Sequence, residues 1–290
     1  MKVSGFTFVR NAVKYDYPVV ESIRSVLPVC DEMVVAVGNS DDNTLDLVKS
    51  LEDPKIRIVE TIWDDSLREG GKVLAIETNK AFNAISPESE WAFYIQADEV
   101  VHERDLPAIK TAMEKWRSDP EVEGLVFNYT HFYGSYAFTG DSRRWYRREV
   151  RIIRNDKQIS SYLDAQGFRK NGRKLRVARA DASIFHYGWV KPPKAQQAKL
   201  KTFHKYWHSD QWIEKEVSAS DDFDYQGMDF LTHFSGQHPV VMKDRILRQD
   251  WNFDPAIQPP RHSLKATVLH AIEKNTGWRV GEYRNYTLVR

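Results

Sequence analysis

The feature that most constrains this chain is the alternation, over its first hundred residues, of short apolar runs with helix-like stretches. Val3–Val9 (VSGFTFV), Met33–Val37 (MVVAV), Ile56–Ile62 and Trp91–Ile95 are rich in β-branched and aromatic residues and have the length of buried strands. Between them, Tyr17–Val26, Thr44–Leu51 and Gly71–Ile85 carry helical spacing. Pro18 falls near a first helical turn, where proline is tolerated, and Asp41, Asp42 or Asn43 can cap the next helix. This β-α-β-α order predicts an α/β protein with a mostly parallel, helix-covered sheet. In such sheets the ligand crevice lies beyond the carboxyl ends of the strands. Attention therefore falls on the residues just after Val9, Val37 and Ile95.

Further along, Gly124–Tyr129, Val150–Ile153 and Ser183–Phe185 read as strands with some antiparallel pairing. From Lys191 the pattern changes: Pro192-Pro193 breaks the chain, Ala195–Trp207 reads as helix, and Leu264–Glu273 as a last amphipathic helix. The expected division is a catalytic domain over 1–190 and a mainly helical part over 191–290, shaping an acceptor side, a homodimer contact or a docking face.

At 290 residues, 41 % of them hydrophobic, the chain can bury a full enzyme core. A formal net charge of +1 argues against a histone-like nucleic-acid binder and against a disordered polyanion. The neutral total conceals segregation. Asp141 to Arg179 holds thirteen Lys/Arg against four Asp/Glu, and His208 to Asp254 holds four against ten. The one cysteine, Cys30, can form no internal disulfide and fits a reducing compartment. No apolar run approaches the ~20 residues that span a bilayer, and the start, MKVSGFTFVRNAV, has no cleavage-site pattern. The expectation is a cytoplasmic protein, at most peripheral to a membrane.

Several residues can carry chemistry. Gln96-Ala97-Asp98-Glu99 follows the fourth strand, where a carboxylate is costly unless it is solvated or meets a cation. Mg²⁺ or Mn²⁺ is one such cation; a helix cap is the bland alternative for Asp98. His186, at the end of an apolar strand, can complete a metal shell or serve as a structural residue. Six arginines lie between Arg143 and Arg154; some must point outward from a strand, and one or two could reach a diphosphate, which a guanidinium fork suits. Lys72 follows Gly70-Gly71 at a helix start, where exposed amides favour anions; an ordinary surface lysine is the alternative. Seven aromatic residues between Tyr129 and Tyr146, with Gly134 and Gly140 among them, read either as a mobile loop stacking on an acceptor sugar or as core.

These segments resemble the family 2 glycosyltransferases of the GT-A fold, and within them the bacterial branch that includes lipopolysaccharide core sugar transferases. The likeness runs through Val9-Arg10-Asn11, Ser25-Val26-Leu27-Pro28 and Asp31-Glu32-Met33-Val34-Val35. Ser40-Asp41-Asp42-Asn43-Thr44 is similar to the family's Gly-Ser-Thr-Asp-x-Thr loop, and Gln96-Ala97-Asp98-Glu99 to its Asp-x-Asp motif. Val150–Arg154, Asp164 and His186-Tyr187 follow in the family's order, so that the likeness covers roughly residues 3 to 190. It implies a Rossmann-like GT-A domain and an inverting transfer from a nucleotide-sugar donor to a glycan, glycolipid or other hydroxyl acceptor. It also implies Mn²⁺ or Mg²⁺, a role in cell-envelope polysaccharide, and no nucleic-acid partner.

By the same resemblance Asp98 and His186 are the metal ligands and Asp164 is the catalytic base, with Asp141 and Glu149 as competing bases. Val9, Arg10, Asn11, Asn39, Asp42, Lys72, Gln96 and Ala97 are then the expected nucleotide-sugar contacts. Three departures stand out. Val37 replaces an Asp that contacts the nucleobase, Gln96 replaces the first Asp of the metal motif, and Asp164 stands where a Glu is common. A NAD dehydrogenase lacks its G-x-G-x-x-G here, and a sugar nucleotidyltransferase lacks its Gly-rich N-terminal loop. A non-catalytic nucleotide-sugar or carbohydrate-binding protein with a degenerate site is the rival reading.

Overall fold

The computed structural model describes residues 1–217, 220–256 and 263–289. Its first half follows the alternation. Strands β1 (Val3–Val9), β2 (Glu32–Gly38), β3 (Ile56–Thr61) and β4 (Trp91–Tyr94) alternate with helices α1 (Val19–Val26), α2 (Thr44–Lys49) and α3 (Lys72–Ala84). The four strands pair in parallel in the order β3-β2-β1-β4, with Val9 beside Val37 and Phe6 beside Tyr94.

The continuous apolar runs are explained by burial on both faces. Met33, Val35 and Val37 of β2, with Trp91 and Phe93 of β4, pack under Val19 and Ile23 of α1. Val34, Ala36, Ala92 and Tyr94 point the other way, with Phe6, onto Ala81 and Phe82 of α3. A one-residue slip would exchange the two sets, so the register is strongly specified.

Beyond β4 the sheet turns antiparallel. β5 (Glu99–Val101), helix α4 (Leu106–Lys115), β6 (Gly124–Tyr133), β7 (Ser135–Gly140) and β8 (Arg148–Arg154) follow, and β8 pairs with both β4 and β6. A small separate sheet holds β9 (Ile159–Tyr162), β10 (Gly167–Lys170) and β11 (Arg173–Lys174). The long strand β12 (Arg176–Trp189) lies parallel to β6 and antiparallel to β5, which brings His186 level with His131 on one side and Glu99 on the other. The C-terminal part holds the helices α5 (Pro193–Phe203), α6 (Asp210–Glu216), α7 (Lys243–Leu247) and α8 (Leu264–Thr276), joined by long stretches without regular structure. Its two short strands, β13 (Leu231–His233) and β14 (Thr287–Leu288), join the main sheet at β7 and β12. Among the described residues no helix is long and apolar enough to cross a membrane.

Five of the seven aromatic residues fall on strands, while Trp145 and Tyr146 lie in the loop between β7 and β8, with Tyr146 at the cavity described below. Tyr129, Phe132 and Tyr133 lie on β6, Tyr136 and Phe138 on β7, and Gly134, at φ +72°, makes the turn between them. The arginine stretch is likewise taken up by the fold. Arg147 pairs with Glu282, Arg143 with Glu273, and Arg154 donates to the carbonyls of Trp116, Asp119 and Val122.

Arg151 makes the most consequential of these contacts. It is fully buried and donates from Nε and Nη2 to the two carboxylate oxygens of buried Glu99, both at 2.8 Å. Removing one partner strands a buried charge, which costs about 3–5 kcal/mol, whereas replacing both with apolar groups is far milder. Arg151→Met should therefore lower the urea unfolding free energy by that amount, and the double change with Glu99→Leu should recover most of the loss.

Candidate active site

A cavity of about 580 Å³ opens at the carboxyl ends of β1 and β4, where α/β sheets place their ligands. Val9, Arg10 and Asn11 reach it from the end of β1, and Gln96, Ala97 and Asp98 from the turn after β4. Asp164 and Gln166 enter from the β9–β10 loop, His186 from β12, and Lys199 from α5. Trp63, just past β3, and Tyr206, just past α5, supply an aromatic wall in which their rings lie 5.9 Å apart.

Three of the expected donor contacts are absent from this lining. Asn39 Oδ1 accepts from the Trp63 amide, and its carbonyl accepts from Arg10 Nε. Asp42 is spent on the start of α2, accepting from the amides of Thr44 and Lys14. Lys72 is half-exposed and pairs with Glu69 at 2.6 Å. The helix start it belongs to is closed off, because the Gly71 amide donates to the Tyr206 carbonyl. Gly71 has φ +68°, and a Cβ there would lie 2.7 Å from the Trp207 ring and 2.9 Å from Asp164 Cβ. The glycine pair thus serves close packing of three segments at the cavity rim.

The end of β1 is held by its own neighbours. Asn11, at φ +56°, accepts from the Asp41 amide through Oδ1 and donates its amide to Ser40 Oγ. Arg10 forms a bidentate pair with Asp65 and lies 5.4 Å from the centre of the Trp63 ring.

Asp98 is nearly buried, with Lys199 Nζ at 3.2 Å from Oδ2 and His186 Nε2 at 3.8 Å from Oδ1. Burial alone would raise its carboxyl, but Lys199, His186 and Lys191 outweigh burial and hold it well below the usual range. Lys199 also donates to the Gly188 carbonyl at 3.1 Å. His186 Nδ1 lies 3.0 Å from His131 Nδ1, and burial pushes both imidazoles toward the neutral form. Glu99, adjacent in sequence to Asp98, is wholly committed to Arg151, Tyr129 and the Gln96 amide.

Asp164 sits between two residues in left-handed conformation, Leu163 at φ +51° and Ala165 at φ +61°. Such backbone is costly for side chains larger than glycine's and accumulates where a group must be aimed. The loop is tied from behind: Arg151 Nη1 donates to the Gln166 carbonyl at 2.9 Å, and Gln96 Nε2 to that of Ala165 at 3.3 Å. Gln96 is thereby a tether between the two acidic segments.

Of the competing bases, Asp141 pairs with Lys274 at 2.6 Å and does not line the cavity. Glu149 is buried behind it, accepting from Gln166 Nε2 and Asn285 Nδ2.

Among the described residues no group of three or more His, Cys, Asp or Glu could hold a metal ion. Asp98 and His186 do form a two-donor cradle. A Cβ at Gly188 would lie 2.7 Å from His186 Nε2 and 2.8 Å from Asp98 Oδ2, so glycine keeps that space open. Sequence reasoning missed Lys199, His131 and Tyr206, which no motif marks. It also left open which arginine of the 143–154 stretch might reach a diphosphate, and did not foresee that Arg151 is taken by Glu99.

No family model matches the chain, and no curated protein does. Among solved structures it is similar to S. aureus TarS residues 1–349 in complex with UDP, at 15 % identity and TM-score 0.40, covering 70 % of this chain and 64 % of that one. A second is glucosyl-3-phosphoglycerate synthase from Mycobacterium tuberculosis in complex with Mn²⁺, UDP and glucosyl-3-phosphoglycerate, at 15 % and 0.30, covering 46 % and 45 %. A third is 4-diphosphocytidyl-2C-methyl-D-erythritolsynthase from Anaerococcus prevotii, at 12 % and 0.33, covering 53 % and 70 %. The chain spans between 38 % and 64 % of the TarS chains it matches. Overlaps of this size leave every functional argument to the chain's own residues.

Burial raises the Glu149 carboxyl from 4.5 to about 7. Between those values the folded state keeps a proton that the unfolded chain releases, so this group costs stability as pH rises through the window. Glu149→Gln should match the natural chain near about pH 4 and exceed it by on the order of 3 kcal/mol near about pH 8, read from thermal melts.

Proposed function

We propose that this chain transfers a sugar from a nucleoside-diphosphate donor to a hydroxyl acceptor. The observation that carries the reading is the pairing, in one cavity, of a cation-held carboxylate, Asp98, with a second carboxylate, Asp164, on a braced and strained loop. The two have different work. Asp98, with Lys199 and His186 against it, belongs to the diphosphate side, while Asp164 has no cation bonded to it among the described residues and is suited to take a proton.

In a single displacement the acceptor oxygen forms its bond to the anomeric carbon as the bond to the diphosphate oxygen breaks. The acceptor's proton passes to the Asp164 carboxylate, and the configuration at the anomeric carbon inverts. Negative charge gathers on the departing diphosphate. Lys199 Nζ, hydrogen-bonded to Asp98 and the Gly188 carbonyl, is the cation placed to meet it. Aromatic faces of Trp63 and Tyr206 suit a nucleobase or sugar ring.

The donor set is compatible with Mn²⁺ or Mg²⁺. Asp98 Oδ1 and His186 Nε2 would hold the ion, with phosphate oxygens and water completing its shell. Such an ion would supply Lewis-acid stabilisation of diphosphate charge. The finer reading rests on the sequence resemblance: an inverting family 2 enzyme in the cytoplasm, serving a cell-envelope glycan or glycolipid, with residues 191–290 shaping the acceptor side.

A panel of UDP-, GDP- and CDP-sugars, each with and without Mn²⁺, should raise the melting temperature for one nucleotide class. With that donor, Asp164→Asn should lower turnover about 10²–10⁴-fold while keeping the thermal shift. Lys199→Ala should weaken nucleoside-diphosphate binding by about tenfold. No shift across the panel would overturn the reading. A shift without transfer or donor hydrolysis would favour a binding protein instead.

A further inference from the structure

The face that α5 turns to the cavity holds a side chain whose hydrogen bonds are unmade. Gln196, Lys199, Leu200 and Phe203 all line the cavity, and their helical spacing of i, i+3, i+4 and i+7 puts them on one side of α5. Lys199 is bonded to Asp98 and to the Gly188 carbonyl. Gln196 is fully buried, yet neither its Oε1 nor its Nε2 has a hydrogen-bond partner among the described residues. Among them no other buried side-chain amide has both ends left unpaired. Buried polar groups are otherwise almost always paired, because losing water without a replacement is costly. One further unpaired group lies on the cavity lining, and its surroundings account for it. Trp63 Nε1 stands where a side chain on Gly38 would be, so it is turned onto the end of the sheet.

The chemistry of the amide selects what would complete it. Oε1 only accepts and Nε2 only donates. A phosphate oxygen accepts alone and would leave Oε1 unpaired, whereas neighbouring hydroxyl groups both donate and accept. Position along α5 points the same way. Phe203 and, past the helix end, Tyr206 lie toward the Trp63 ring, Lys199 stands at Asp98, and Gln196 comes one turn earlier. Seven residues of helix carry this series over about 10 Å. A nucleotide-sugar is strung in the same order, from base to diphosphate to sugar. Trp189, at the end of β12 and just ahead of α5, also lines the cavity and is backed by Tyr133 and Phe223 at 5.9 Å each. An aromatic face beside an amide suits a sugar ring, with its C–H groups on one and its hydroxyls on the other.

We propose that Gln196 is a specificity-determining residue that turns its amide onto the hydroxyls of the transferred sugar, Nε2 donating to one oxygen and Oε1 accepting from a hydroxyl. The assignment rests on the reading of this cavity as a nucleotide-sugar site and adds the part of the donor that α5 reads. In the free chain the amide is held dry and unpaired, so its hydrogen bonds are gained only when the sugar is present. The sugar-bearing donor is thereby favoured over the bare nucleoside diphosphate. A site built to hydrogen-bond hydroxyls also rejects sugars that lack them more sharply than an apolar pocket does.

The test compares the natural chain with Gln196→Met and Gln196→Leu, which keep bulk and helix propensity and remove both polar atoms. Without ligand both variants should melt about 2–6 °C above the natural chain, because the unpaired amide is gone. Calorimetric titration then gives the affinity of each chain for UDP, GDP and CDP and for UDP-, GDP- and CDP-sugars. For the nucleotide class that binds, the variants should lose about 10–100-fold on the nucleotide-sugar and less than about twofold on the bare nucleoside diphosphate. Variants that melt below the natural chain, or fail to fold, would overturn the assignment, since the amide would then be holding the fold. Equal losses on both kinds of ligand, or no loss on either, would overturn it as well and leave glycosyl transfer standing. A natural chain that binds no member of the series would overturn glycosyl transfer itself, and the sugar contact with it.

Discussion

The buried pair of Glu99 and Arg151 is the contact on which the site depends. Neither side chain reaches solvent, and both carboxylate oxygens are engaged by the guanidinium. Tyr129 donates to one of those oxygens at 2.7 Å and the Gln96 amide to the other at 3.1 Å, so the charge is fully hydrogen-bonded as well as paired. The remaining arm of Arg151 crosses to the Gln166 carbonyl. One planar fork therefore locks the turn that presents Asp98 to the loop that presents Asp164. A lysine, a single point charge on a flexible stem, could not hold both.

The same economy governs the charges around the cavity. Because Glu99 takes Arg151, Asp98 is left to the Lys199 ammonium, 3.2 Å from Oδ2, with His186 Nε2 3.8 Å from Oδ1. The arginines of the basic stretch meet C-terminal acids, Glu273 and Glu282 among them, and carbonyls at strand and helix ends. The near-zero net charge is thus in good part the sum of specific pairings between distant segments. The aromatic excess resolves similarly. Tyr129, Trp145 and Tyr146 surround one histidine, while Phe132 and Tyr136 belong to a core with Tyr187.

Much of the first half was legible because its pattern is local. A strand buried on both faces must be apolar throughout, as MVVAV is, and the helices between such strands show their own spacing. Val9, Arg10, Asn11, Gln96, Ala97 and Asp98 could be placed at the ligand side because strand ends of a parallel sheet share one edge. Asn39 and Asp42 lie at that edge too, but their side chains are consumed by backbone amides. Sequence spacing cannot separate a polar residue that faces a cavity from one that closes a turn. Lys72 misled for a related reason. An N-terminal helix amide attracts anions only when open, and here another segment, ending at Tyr206, closes it.

By itself the sequence determined the alternation of the first four strands, the edge at which chemistry could gather, and the candidate acids Asp98 and Asp164. The strands, the edge and Asp98 follow from periodicity and from the cost of a carboxylate near a buried strand, whereas Asp164 came from the family resemblance alone. Only the tertiary structure decided what stands against them. Lys199 reaches Asp98 from about a hundred residues away, Arg151 selects Glu99, and His131 meets His186 across the parallel β6–β12 ladder. Those partners are set by strand register and by the path of the chain after Lys191, which no local pattern encodes. Pairing is a property of distances between distant residues, and the fold is what sets them.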